Sequence, residues 1–70
     1  MIREGTNVKW RWGEGWGKGT VAEIHHEKVK RTLQGTEVTR DGSDGDPAYV
    51  IEQNDGDQVL KLRSEVERDD

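Results

Sequence analysis

Three aromatic side chains have the types and positions that could hold a cationic or flat ligand. Trp12 and Trp16 flank a glycine-rich turn, and Tyr49 opens a later apolar run. Aromatic ring faces attract ammonium groups through their quadrupole, so a few rings can hold a cation without an anionic pocket. The same rings could equally pack a core, because the chain has no Phe. Trp12, Trp16 and Tyr49 are therefore candidate ligand-binding residues, with the two tryptophans as candidates for an exposed platform.

Basic residues near the tryptophans suggest a second kind of ligand. Proteins hold single-stranded nucleic acid by stacking bases on aromatic rings beside cations that follow the phosphates. On a regular strand, however, Lys9 and Arg11 point away from the face of Trp10 and Trp12, as charges do on the solvated side of a sheet. Nucleic-acid binding is the alternative function. Its candidate residues are Lys9, Arg11, Lys18, Lys28, Lys30 and Arg31.

Metal binding and catalysis find little support in the sequence. His25 and His26 are adjacent, so on a strand they point to opposite faces and cannot share a metal ion without distortion. The acidic residues of segment 41–46 lack the distal bidentate glutamate of a calcium loop. Ser43 and Ser64 have no placed His and carboxylate partners, and a domain of this size has little concave volume for a substrate. We expect no metal, no cofactor and no enzymatic activity.

Length and charge limit the core and the partners. A chain of 70 residues with no Cys fits one small domain whose free energy of unfolding depends on packing, at roughly 3–5 kcal/mol. Residues 1–40 hold eight Lys and Arg against five Asp and Glu, whereas residues 41–70 hold three against ten. The net charge of −4 opposes the counterion release that drives nucleic-acid affinity.

Membrane and export signals are not evident. The chain has no apolar run long enough to span a bilayer. Residues 1–20 lack the apolar segment of a secretory signal. We therefore expect a cytoplasmic protein that does not act at a membrane.

The residues around the tryptophans predict a bent antiparallel pair. Val8, Trp10 and Trp12 alternate with polar residues, which is the period-two pattern of a half-buried strand. A second strand-like run, residues 18–24, has an interval of three between its apolar side chains. Such side chains share one face only if an extra residue is inserted, so we expect a bulge at residues 22–23.

Turn signals divide the rest of the chain into short strands. Residues 28–40 predict one or two strands turning at Gln34 and Gly35, and residues 41–47 predict a flexible acidic loop. A two-residue turn at Asp55-Gly56 predicts a hairpin and fixes its register. The expected pairs are Gln53 with Gln58, Ile51 with Leu60 and Tyr49 with Leu62 on the core face, and Glu52 with Val59 and Val50 with Lys61 on the other face.

The chain end predicts little regular structure beyond one turn. Ser64 and Glu67 have the spacing of a capping box, so we expect a short helical turn there and a frayed tail over residues 65–70. About five short strands with tight turns predict an all-β domain, a small five-stranded SH3-like or Tudor-like barrel. We expect one domain over residues 1–70, with its ordered core at about residues 5–64.

Four groups of residues follow the order of a known family. They are Gly5-x-x-Val8-x-Trp10, Gly19-x-Val21-x-x-Ile24, Asp46-Pro47-Ala48-Tyr49-Val50-Ile51-Glu52, and Gly56 with Leu60-Lys61 and Ser64-Glu65. Over nearly the whole chain this pattern resembles the hypervirulence-associated Tudor-domain family of small, mostly bacterial and fungal proteins. The resemblance implies a Tudor-like barrel. It implies no molecular role and no functional residues, because the family name reflects an association in fungi.

We therefore expect a non-catalytic binding module whose tryptophan end, at Trp12 and Trp16, contacts a protein or peptide segment. Nucleic-acid binding through the basic strands is one alternative. A structural role, in which an exposed sheet edge pairs with a partner, is another. We expect a monomer rather than an oligomer.

Overall fold

A computed structural model of the chain describes residues 1–69. Seven β-strands and one 3-10 turn make up the regular structure of that range. The elements are β1 (Asn7–Trp12), β2 (Gly15–His25), β3 (Lys28–Leu33), β4 (Thr36–Asp41), β5 (Ala48–Glu52), β6 (Gln58–Leu62), the 3-10 turn (Arg63–Glu65) and β7 (Glu67–Arg68). The all-β class expected from the sequence is confirmed. In residues 1–69 no helix has the length and apolar character needed to cross a membrane.

The strands form two antiparallel sheets. The larger has five strands in the order β6-β5-β2-β1-β7, and the smaller is the β3–β4 hairpin, which turns at Gln34 and Gly35 as expected. β2 is long because it has two partners, β1 along residues 15–20 and β5 along residues 20–25. Among the described residues, hydrogen bonding does not close these sheets into a barrel, so the expected barrel is an open one.

β2 bends where the sequence predicts it. Its pairing with β5 passes from Val21 to Glu23, which leaves Ala22 as a bulge. An inserted residue bends a strand and increases its twist. Val21 and Ile24 consequently pack against the same core cluster although they are three positions apart.

Apolar side chains bury both faces of β5. One cluster contains Ile2, Val8, Trp10, Val21, Tyr49, Ile51 and Val66, and a second contains Val29, Ala48, Val50 and Leu60. Successive side chains of a strand point to opposite faces, so Tyr49 and Ile51 enter the first cluster while Ala48 and Val50 enter the second. The β3–β4 hairpin supplies Leu33 and Val38 to the second cluster. This hairpin therefore covers the face of β5 that would otherwise meet water.

The turn of the β5–β6 hairpin has three residues, 54–56 between the paired Gln53 and Asp57, rather than the expected two. Gly56 has a φ of +90° and donates its N–H to the Gln53 carbonyl at 2.9 Å, while the Gln53 N–H donates to the Asp57 carbonyl at 2.8 Å. This is a type I turn followed by a glycine bulge, a common hairpin connection. The Asp55 Oδ1 accepts the Asp57 N–H at 2.9 Å and stabilises it.

The longer loop shifts the hairpin register by one residue. Ile51 pairs with Val59, and Val50 pairs with Leu60. The predicted register is therefore wrong. The prediction that Leu60 and Leu62 share a face with Tyr49 and Ile51 is also wrong, because those two leucines belong to the second cluster.

The chain end is more ordered than the sequence predicts. The Leu62 N–H donates to Glu65 Oε1 at 2.8 Å, so Glu65 rather than Glu67 closes the helical turn. Val66 is buried, and β7 then pairs with β1. Residues 65–69 are thus not a frayed tail, and Asp70 lies outside the described residues.

Asp46 ties the acidic loop to the 3-10 turn. Its carboxylate oxygens accept the N–H and the hydroxyl of Ser64, each at 2.8 Å. Its own N–H donates to the Ser43 hydroxyl at 3.1 Å. Both serines of the chain are therefore engaged in holding this corner, and the flexibility of residues 41–47 stays a prediction.

Glu65 connects β4 to the end of β6. Arg40 Nε donates to Glu65 Oε1 at 2.9 Å, and the same oxygen accepts the Leu62 N–H. Burial raises the pKa of Glu65, but these hydrogen bonds and the positive charges of Arg40 and Lys61 outweigh it and hold the pKa below its ordinary value. The folded protein therefore binds this proton less readily than the unfolded chain does.

Glu65→Gln should flatten the acid dependence of stability. A carboxylate with a lowered pKa stabilises the fold above the ordinary glutamate pKa, and that contribution is lost as the pH falls through the folded-state pKa. Urea unfolding at a series of pH values from about 6 to about 3 should show a shallower loss of unfolding free energy in the variant. Glu37→Gln removes one exposed carboxylate from β4 and is the matched control for the loss of a negative charge. Equal slopes in all three proteins would contradict the role of Glu65.

Candidate functional site

Trp10 is a core residue, and the glycine opposite it makes that possible. β1 and β2 pair so that Trp10 faces Gly17. The Trp10 indole lies so close over Gly17 that a Cβ there would overlap the ring. Trp10 is 4% exposed. The interleaving of glycine and tryptophan in the sequence therefore gives this ring space against the β2 backbone.

Trp12 follows Trp10 on the same face of β1 but lies beyond the end of the core. Its side chain is 73% exposed, compared with 43% for Trp16. Its partner across the β1–β2 pair is Gly15, which has no side chain to cover it. Trp12 is therefore the most open aromatic residue among the described part of the chain.

Trp16 lies on the other face of the β1–β2 hairpin. It pairs with Arg11, so these two side chains share the face opposite Trp10 and Trp12. The Lys9 Nζ is 4.9 Å and the Arg11 Cζ is 5.3 Å from the centroid of a Trp16 ring. Cations within about 6 Å of a ring face are attracted to it. Trp16 thus already contacts two positive charges of its own chain.

A groove of about 240 Å³ runs beside Trp12. We name it the tryptophan groove, and its lining residues are Trp10, Trp12, Gly17, Gln53, Val59 and Lys61. Indole and valine side chains form apolar walls, and the Gln53 amide and the Lys61 ammonium supply polar groups. A more open depression next to it is bordered by both Trp12 and Trp16 and by the β5–β6 loop. The two tryptophans therefore meet at one end of the domain although they belong to opposite faces of the hairpin.

Tyr49 does not join this surface. It is 3% exposed and packs in the first core cluster. Burial raises the pKa of Tyr49 because the phenolate would lose its hydration. Of the three candidate aromatic residues, Trp12 and Trp16 therefore lie at this end of the domain and Tyr49 does not.

The basic residues of the alternative site are divided between the two sheets. Lys9, Arg11 and Lys18 lie on β1 and β2 near Trp16. The other three, Lys28, Lys30 and Arg31, lie on β3. Two of these have acidic partners, since Arg31 bonds to Glu23 and the Lys30 Nζ is 3.9 Å from Glu37. The structure does not bring the six cations together on one surface.

The histidines take part in separate contacts. His25 Nε2 lies 2.8 Å from Glu23 Oε1, and His26 Nδ1 lies 3.7 Å from Asp44. The hydrogen bonds from His25 and then from Arg31 hold the pKa of Glu23 below its ordinary value. Among residues 1–69 no three His, Cys, Asp or Glu side chains come together as a metal site would require.

Sequence reasoning missed the part of the groove that the β5–β6 hairpin and its turn supply. Gln53 and Val59 line it, and so does Lys61, which the predicted register placed on the opposite face from Tyr49. The signal that could have found them is the turn. A three-residue loop with glycine at its third position places Lys61 opposite Tyr49, on the face that the groove borders.

A short bent sheet of five strands, a 3-10 turn before the last strand and an exposed aromatic end define a small Tudor-like domain. A family model described as the TUDOR domain of hypervirulence associated proteins matches residues 5–66, and the chain belongs to this family. Membership indicates a binding module. Comparisons with curated proteins and with solved structures find no match. The matched range includes the whole tryptophan groove and ends just before β7.

Proposed function

We propose that the domain is a non-catalytic module that binds a protein or peptide segment through Trp12 and the tryptophan groove. The observation that carries this proposal is the 73% exposure of Trp12 beside apolar walls. Tryptophan is enriched among the residues that dominate binding energy at protein interfaces. An indole left in water next to a groove therefore supports a role in contacting a partner.

The size of the groove favours a peptide side chain over a small-molecule substrate. Its volume of about 240 Å³ lies below the roughly 300–1,000 Å³ of pockets that enclose small ligands. A groove of this size accommodates one or two side chains of a longer segment. The Gln53 amide and the Lys61 ammonium can orient such a segment by hydrogen bonding.

Trp12→Ala should weaken binding strongly and leave the fold intact. Peptides selected from a random display library on the wild-type domain should lose about thirtyfold in affinity, corresponding to about 2 kcal/mol for a dominant interface residue. The free energy of unfolding should change by less than about 0.5 kcal/mol because the side chain is exposed. Isothermal titration and urea unfolding measure the two quantities.

Glu37→Ala is the control for this experiment, because Glu37 is exposed and lies on β4 in the other sheet. It should bind the selected peptides as the wild type does. Peptides that bind Trp12→Ala with unchanged affinity would contradict the proposal. A selection that yields no peptide at all would contradict it as well.

Nucleic-acid binding is the second candidate, favoured by the contacts of Lys9 and Arg11 with Trp16. A base stacked beside this ring would have cations next to its phosphate. Titration of the tryptophan fluorescence with an oligothymidine strand at several salt concentrations distinguishes the candidates. A phosphate-driven complex should weaken steeply between about 50 and 200 mM salt, whereas peptide binding at Trp12 should change little.

Edge pairing is the third candidate, because β6 and β7 are the outer strands of the larger sheet. An exposed edge can add a strand from another chain. Sedimentation equilibrium over a range of protein concentrations detects self-association of this kind. A single monomeric species at every concentration would count against pairing between copies.

A further inference from the structure

Lys61 is the charged residue of the tryptophan groove. The other five residues that line the groove are neutral. Lys61 also borders two adjoining clefts, one beside the 3-10 turn and one between β4 and β6. A positive charge is therefore available to a segment that enters the groove from several directions.

The Lys61 ammonium has no ion-pair partner among the described residues. Among residues 1–69 it also makes no hydrogen bond. Glu65 is the carboxylate on which Lys61 acts electrostatically. That carboxylate already accepts hydrogen bonds from Arg40 and from the Leu62 N–H through Oε1. Lys61 thus retains the capacity to pair with a carboxylate brought by a ligand.

On its Trp16 side, the open depression that adjoins the tryptophan groove also favours an anion over a cation. Lys9 and Arg11 lie over its ring, so a ligand ammonium would meet two like charges there. Asp55 adds a negative charge to the open depression beside Trp12, but it does not line the tryptophan groove itself. The net charge of −4 acts on an acidic ligand mainly at long range, and physiological salt screens exposed charges beyond about 8 Å.

From these observations we infer that the tryptophan groove selects an acidic peptide segment. A carboxylate of the segment pairs with Lys61, and a neighbouring apolar side chain lies against Trp12 and Val59. This inference rests on the proposed function and adds the chemistry of the partner to it. It distinguishes the groove from an aromatic site for ammonium groups, which would require carboxylates or open rings where this groove has a lysine.

Three matched peptides test which ligand charge the tryptophan groove prefers. Each is a blocked nonapeptide with leucines at alternate positions, and the residues between the leucines are aspartate, asparagine or lysine. Nuclear magnetic resonance titration of the Trp12 indole N–H measures each affinity at about 50 mM salt. The aspartate peptide should bind about fivefold more tightly than the asparagine peptide, and the lysine peptide should bind least. Raising the salt should reduce this preference.

Lys61→Gln isolates the lysine from the rest of the groove. In this variant the fivefold preference for the aspartate peptide over the asparagine peptide should disappear. Lys61→Glu should reverse the order and favour the lysine peptide. Lys28→Gln removes the same charge from an exposed position on β3 and should leave the fivefold preference unchanged.

The outcomes separate this inference from the proposed function. Equal binding of the aspartate and asparagine peptides to the wild type overturns the inference, and so does a preference for lysine. A preference for aspartate that persists in Lys61→Gln overturns the role of Lys61. If none of the three peptides shifts the Trp12 indole at millimolar concentration, the inference fails, and the proposed function fails with it where the library selection also yields no peptide. If Trp12→Ala abolishes binding of peptides that show no charge preference, only the inference fails.

Discussion

Gly17→Ala should leave the domain largely unfolded at room temperature. The added Cβ would overlap three atoms of the Trp10 indole, which is a rigid ring and not the end of a flexible side chain. The ring cannot retreat, because it is 4% exposed and its other side packs in the first core cluster. Either the two strands separate or the indole leaves the core.

The expected loss is comparable to the whole stability of the domain. Overpacking a core costs about 1–3 kcal/mol and occasionally more. Removing a buried tryptophan from its site costs about 3–5 kcal/mol. A domain of this size without disulfides has roughly 3–5 kcal/mol in total. We therefore expect a loss of at least about 3 kcal/mol in the free energy of unfolding.

Gly15→Ala is the matched control, because Gly15 lies on the same strand and face two residues earlier. The nearest atom to its added Cβ is the Trp12 carbonyl oxygen at 4.0 Å, an ordinary contact. This variant should be as stable as the wild type. It could be more stable by up to about 1 kcal/mol, because alanine lowers the conformational entropy of the unfolded chain. Urea unfolding followed by tryptophan fluorescence compares the two. Equal stability of Gly15→Ala and Gly17→Ala would show that Trp10 does not lie against Gly17.

A second variant shows whether the ring itself is responsible. Trp10→Phe in the Gly17→Ala background replaces the indole with a smaller ring and should recover part of the lost stability. The same substitution in the wild type should destabilise, because it leaves a gap in the first cluster. Opposite signs in the two backgrounds would establish direct coupling between the two positions.

The sequence predicted the strands of the first half for reasons that are local. Period-two alternation places Val8 and Trp10 on one face, and both are buried. The irregular spacing after residue 21 requires an inserted residue, and Ala22 is that residue. Neither inference needs knowledge of a distant strand. The alternation does not predict that Gly17 lies opposite Trp10, because that depends on how β1 and β2 pair.

The burial of the aromatic residues could be predicted only in part. Trp12 continues the pattern of Trp10, but exposure depends on where the core ends in three dimensions. The pairing of Trp16 with Arg11 follows from the exact length of the β1–β2 turn. A turn one residue longer would alter which side chains oppose each other. These are properties of packing and register, and a linear pattern does not contain them.

The predicted β5–β6 turn was one residue too short, and for that reason the sequence did not place Lys61 at the groove. The two-residue turn at Asp55-Gly56 satisfies local preferences, yet the chain forms a three-residue loop in which Gly56 takes the left-handed position. Because side chains alternate along a strand, this slip changes the face that Lys61 shares with its neighbours. β7 was missed for another reason. A strand of two residues has no period, and its pairing with β1 joins the two ends of the chain.

Val50→Asp should also remove most of the stability, and it tests the observed register directly. Val50 is 1% exposed and lies in the second cluster beneath the β3–β4 hairpin. Among the described residues no buried polar or charged side chain lies in that cluster to pair with an aspartate. An unpaired buried charge costs several kcal/mol, or the carboxyl takes up a proton and remains an unsatisfied polar group.

The register predicted from the sequence gives the opposite result for this variant. It places Val50 across from Lys61 on an outer face, where an aspartate would form a cross-strand ion pair worth about 0.2–1 kcal/mol. The sign of the change in unfolding free energy therefore decides between the two registers. Val50→Thr, which is nearly isosteric, should lose a smaller amount of about 1–3 kcal/mol because its hydroxyl is buried without a partner.

Glu52→Asp is the control, since Glu52 lies two residues further on the same strand and face but is exposed. The same residue introduced there should change stability by less than about 0.5 kcal/mol.

Hydrogen exchange adds a spatial test in the milder Val50→Thr variant. The loss of protection should extend to the amides of β3 and β4, because their hairpin buries the face on which Val50 lies. Loss confined to β5 and β6 would mean that the hairpin does not depend on this contact, and a stable Val50→Asp would exclude the second cluster altogether.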